Sequence, residues 1–188
     1  MDTLVSTSSA ASKSTPLRML YLGRFVFAAV WAGLLFTSAD RLGALNVTLL
    51  LVYPAVDMAA VLFDVRAAQA NGGAVPALYT NAGISALAVV SLAFAAASGI
   101  PAVLRVWGAW AIVSGVLQLI TGVVRRRGGG QWSMIISGTI STLAGTSFIT
   151  QAGSDDVTLK NLAGYAFLGG AFFLVSALRL NRGTRQQA

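Results

Sequence analysis

Six runs of about twenty apolar residues, each closed by a short polar turn, leave few folds open to this chain, because a bilayer core needs roughly 20 apolar residues per crossing helix. The runs lie at about Met19–Ala39, Ala44–Val65, Ala77–Ser98, Ala102–Val124, Gln131–Thr150 and Leu159–Leu180. Between them stand "DRLG", "AQANGGAVP", "SGIP", "RRRGGG" and "AGSDD", all rich in residues that end helices and make turns. Charged residues make up 10% of the 188 and hydrophobic ones 56%. A soluble domain carries about 25% charged residues to coat its surface. Lipid is therefore the medium this sequence is built for.

The pattern predicts an all-α, polytopic membrane domain over residues 18–182, between a disordered cytoplasmic tail at 1–17 and a short cytoplasmic tail at 183–188. A rival reading of the first run stays open: Arg24, "FVFAAVWAGLLF" and "TSA" have the layout of a signal peptide cleaved after Ala39. The apolar stretch reaches back through Met19–Leu22, which favours an uncleaved span.

Charge placement sets the expected orientation. With the amino-terminal tail, the second and fourth loops and the carboxyl tail on one side, that side collects Lys13, Arg18, Arg66, Arg125, Arg126, Arg127, Arg179, Arg182 and Arg185. The other side keeps Arg41 and Lys160 beside Asp40, Asp155 and Asp156. Basic residues are retained on the cytoplasmic face, so both termini are expected there. Their scatter over short membrane-edge segments, not one soluble face, argues against a nucleic-acid partner. Arg125, Arg126 and Arg127 read as a cytoplasmic anchor, drawn to anionic lipid by about 1 kcal/mol per arginine.

Cys, His and Glu are absent. Disulfides and thiolate metal sites are excluded, and so are mechanisms that use histidine as a base or ligand. No catalytic, cofactor-binding or metal site is expected, and the chain is not expected to be an enzyme. The anticipated partners are the bilayer, another copy of the chain or a membrane protein.

The chain repeats. "WAIVSGVLQLITGVVRRRG" (110–128) aligns with "YAFLGGAFFLVSALRLNRG" (165–183), and "AGISALAVVS" (82–91) corresponds to "SGTISTLAGT" (137–146). The repeat predicts three successive two-helix hairpins, at about 19–65, 77–124 and 131–180. Small-residue helices such as "SGTISTLAGTSF", the aromatic–x4–Gly pattern of "WAIVSG" and "YAFLGG", and the basic cytoplasmic end resemble the HdeD-type acid-resistance membrane proteins, built from short membrane repeats of unknown function. The resemblance implies six helices in a bacterial inner membrane and an association with acid or general stress tolerance. It carries no site residue across.

The residues themselves offer candidates. Arg24 lies about 9 Å inward of Arg18, and Asp57 about 13–14 Å inward of Arg66 on the next helix. An arginine side chain can bridge that difference by snorkelling, which predicts an intramembrane Arg24–Asp57 ion pair. An unpaired charge at the membrane centre costs about 2.5–3.5 kcal/mol. The pair would fix register between the first two helices. Alternatively it belongs to an ion or proton pathway with Asn81 and with Pro54, which frees a backbone carbonyl. Gly115 and Gly122 share a helix face, as do Gly138 and Gly145, and Gly170 sits in a further small-residue set. All five are expected at close helix contacts, where small residues let backbones approach in lipid. Asp64 is expected to pair at the inner edge, and Arg105 to anchor at the outer edge.

Overall fold

A computed structural model of the chain describes residues 3–70, 76–124 and 132–185, and these form six helices: α1 (Thr3–Ser38), α2 (Ala44–Ala70), α3 (Pro76–Ala96), α4 (Ile100–Val124), α5 (Trp132–Gln151) and α6 (Lys160–Arg185). Five of them hold stretches long and apolar enough to cross a membrane: Arg18–Ser38, Ala44–Leu62, Leu78–Ala96, Ile100–Val124 and Lys160–Leu178. The sixth, α5, carries eight Ser or Thr and two Gly in its twenty residues and falls outside that group. Its hydroxyls largely turn inward on their own helix. Thr139, Thr142 and Thr146 each donate to the carbonyl four residues back at 2.9 Å, which hides a polar group without an outside partner.

At the amino-terminal end, α1 begins at Thr3. At the other end, α6 runs through Arg185.

The chain divides into two compact units, one formed by α1 to Phe36 with α6 from Leu162, the other by Thr37–Asn161. In the first unit Tyr21 stacks on Phe173 with centroids 6.1 Å apart, and a Cβ built on Gly170 would meet the Ala28 methyl at 2.9 Å. Advancing along α1 means retreating along α6, so the two helices are antiparallel.

In the second unit the helices pack in chain order, α2 on α3, α3 on α4, and α4 most closely on α5. That closest pair joins helices the repeat assigns to different hairpins. The α3–α4 turn depends on Gly99, whose φ of 95° is a left-handed conformation open to glycine and costly for other residues. Gly99 O then accepts from Val103 N at 3.2 Å, closing the first turn of α4.

Candidate functional site

Asp57 sits on α2 one turn beyond Pro54, which is fully buried beside Leu50 on the same face. Proline cannot donate to the Leu50 carbonyl, so the helix is locally open above the acid. Ser85 of α3, with no exposed surface, donates its hydroxyl to Asp57 Oδ2 at 2.9 Å. One turn before Asp57 stands Tyr53. Its ring lies 5.7 Å from that of Trp107 and 6.3 Å from that of Trp110, and the two indoles meet edge-on at 5.3 Å. Three helices of the second unit thus contribute to one layer: a carboxylate held by a serine, next to three packed aromatic rings.

Arg24 belongs to the first unit, where its guanidinium lies 5.2 Å from the centre of the Phe173 ring. A cation over an aromatic face is attracted by the ring quadrupole. Arg24 and Asp57 belong to different units.

The glycines meet across α4 and α5 in a strict register. A Cβ added at Gly115 would lie 2.7 Å from Gly138 O, and one at Gly138 would lie 2.6 Å from Gly115 O. Seven residues away, Gly108 and Gly145 repeat the arrangement at 2.6 and 2.5 Å. Backbone touches backbone, so no side chain fits at any of the four positions. Gly122 is buried further along α4. Gly108 was not singled out in the sequence, although it stands seven residues before Gly115 on the same face. Arg125, Arg126 and Arg127 lie outside the described residues, as does the side chain of Asp64.

Arg105 Nη2 donates to Ala152 O at 3.5 Å, just past the end of α5. A cation there meets the negative end of the helix dipole. Two further polar arrangements went unnoticed in the sequence. Asn46, 2% exposed at the start of α2, donates to Ser38 O at 2.6 Å and to Arg41 O, while Ser38 Oγ donates to Asn46 Oδ1 at 2.5 Å. A lone Asn in an apolar run was the available signal. Beside it, Lys160 Nζ lies 3.0 Å from Asp40 Oδ1, Thr158 Oγ1 donates to Asp40 at 3.2 Å, and Leu159 N donates to Ala39 O at 3.1 Å. These bonds fasten the α5–α6 connection to the α1–α2 turn. The Lys160 hydrogen bond, helped by its charge, by Thr158 and by Arg41, holds the Asp40 carboxyl below the ordinary carboxylate value.

Five span-length apolar helices mark an integral membrane protein. Residues 82–150, which cover most of α3, all of α4 and nearly all of α5, match the DUF308 family, described as a short repeat of unknown function. No curated protein and no solved structure gives a match.

Proposed function

We propose that this chain is a six-span protein of a bacterial inner membrane, with both termini in the cytoplasm, that acts through helix packing and carries no enzymatic activity. The glycine-on-glycine contact of α4 with α5 carries the reading. Backbones in direct contact are a device for holding helices together where no hydrophobic force does so. The contact also lies inside the segment matched by the repeat family. The HdeD-type resemblance suggests tolerance of acid or general stress as the role, and the arginines at 125–127 suggest anionic lipid as one partner. A second copy or another membrane protein is the other partner class. The test is acid survival of a deletion strain carrying either the wild-type chain or Gly138→Leu. Loss of protection with Gly138→Leu at undiminished membrane expression is the expected outcome. Full protection by that variant refutes a packing role.

A second reading, a proton or ion pathway, is favoured by one observation: Asp57 held by the buried Ser85 hydroxyl. Ionisable groups at such depths are costly and mark conduction routes in many membrane proteins. Proton flux into liposomes bearing wild type or Asp57→Asn separates the two readings, and equal flux removes the second.

A further inference from the structure

Buried polar atoms on α4 without a hydrogen-bond partner among the described residues include Trp110 Nε1, Ser114 Oγ and Gln118 Oε1. They are spaced four residues apart, so they form one stripe that advances about 6 Å per step. The stripe faces away from Val113, Val116, Ile120 and Val123, which are exposed. Trp110 fixes where it looks, since its ring meets Tyr53 of α2. The helices α2 and α4 run in the same direction, each antiparallel to α3. Asp57 therefore lies one turn past Tyr53 as Ser114 lies one turn past Trp110, at matching levels.

On the face of that stripe, polar residues continue from that level toward the carboxyl end of α4. On α4 they are Gln118 and then Thr121, and on α3 Asn81 lies one turn from Ser85 toward the helix start. The end of α4 and the start of α3 are the same end of this antiparallel pair. In the other direction stands the cluster of Tyr53, Trp107 and Trp110, with Trp107, Val103 and Leu104 fully buried. No charged residue occurs on α3, and the one on α4 is Arg105, beyond the aromatic cluster. On α2 the other charges, Asp64 and Arg66, stand at the polar end.

We propose that Asp57 binds a proton delivered by water from the α4 carboxyl-terminal end alone, along a path lined by Gln118, Ser114, Asn81 and Ser85, and that the Tyr53–Trp107–Trp110 cluster closes the path beyond it. The step is a simple protonation: hydronium gives its proton to the Asp57 carboxylate, leaving water and a neutral carboxyl group. The orphaned groups suit water, because they offer in turn a donor, a hydroxyl of either role and an acceptor. The inference rests on the membrane-spanning reading and gives the pathway reading an entrance and a closed end.

The chain has no cysteine, so single cysteines can be placed without background. A thiol in hydrocarbon stays protonated and inert, whereas one in a hydrated path reacts about tenfold faster or more. In sealed vesicles of both orientations, a charged, membrane-impermeant thiol reagent is expected to label Ser114→Cys and Gln118→Cys from the side bearing the α4 carboxyl end only, well above Val116→Cys. The infrared carboxyl stretch of the cysteine-free chain is expected to follow the pH of that side, and to lose this component in Asp57→Asn. Labelling of Ser114→Cys and Gln118→Cys no faster than Val116→Cys overturns the path. Labelling from both sides overturns the closure, and a carboxyl band blind to pH overturns the proton site. Rapid labelling of all three, Val116→Cys included, overturns the membrane reading itself.

Discussion

Asn46 holds the α1–α2 turn through three hydrogen bonds from a side chain with almost no exposed surface. Of the two carbonyls it reaches, Ser38 O lies at the end of α1, where helix geometry leaves acceptors without an intrahelical partner, and Arg41 O lies in the turn that follows. Asn46→Ala removes the donor to both carbonyls, a change that costs about 1–3 kcal/mol when it leaves a buried acceptor unmatched. Thermal unfolding in detergent should register that loss, and an unchanged midpoint would mean that water reaches these carbonyls. Asp40 makes a different prediction. Its pKa is lowered in the folded chain, chiefly by the Lys160 hydrogen bond. The stabilisation it brings is therefore complete above the unfolded-state pKa and fades as pH falls through the lower, folded value. Mild acid leaves the Asp40–Lys160 clasp charged, which argues against this aspartate as a sensor of mild acidity. Lys160→Met should return Asp40 titration toward the ordinary carboxylate range, and carboxyl NMR of the labelled side chain would detect the move.

The four-glycine contact makes the case for helix pairs. Gly115→Ala puts a methyl 2.7 Å from Gly138 O, so α4 and α5 must separate, and forced overpacking costs typically about 1–3 kcal/mol. Gly33 on α1 meets nothing within 4 Å, so Gly33→Ala should instead gain helix propensity of about 0.8–1 kcal/mol. Opposite signs for two identical substitutions are the expected result in a reversible unfolding assay. Destabilisation by both would mean that α1 has a close neighbour at Gly33. The sequence displays the seven-residue spacing of Gly138 and Gly145, because small residues stand out in apolar runs. What it does not display is the partner. Gly115 faces Gly138 and not a residue of its own repeat, since identical spacing on two helices permits several registers and packing alone selects one. Ser85 is hidden for a similar reason: a serine on an apolar helix gives no sign that an acid 28 residues earlier lies beside its hydroxyl.

Across the whole chain, the proposed six-span topology turns on α5, the one described helix without a span-length apolar stretch. Were α5 to remain on one surface, the chain would cross the bilayer five times, and α6 would run parallel to α1. The Tyr21–Phe173 and Ala28–Gly170 contacts instead make α1 and α6 antiparallel, the relation that the proposed six-span arrangement calls for. The energetics permit this. The Thr139, Thr142 and Thr146 hydroxyls are spent on carbonyls of their own helix, and satisfied polar groups are what a bilayer tolerates. Charge agrees, since the α4–α5 connection holds Arg125, Arg126 and Arg127 while the α5–α6 connection holds Asp155 and Asp156, and basic loops stay in the cytoplasm. Reporter fusions at the carboxyl end and within the α4–α5 connection should therefore both read cytoplasmic, and one inserted at Ser154 should read external. A cytoplasmic signal at Ser154 would mean that α5 does not cross. Replacing the three arginines with Asn should weaken the bias and yield a mixed population, whereas Asp155→Asn with Asp156→Asn should leave it intact, because acidic residues contribute little to orientation.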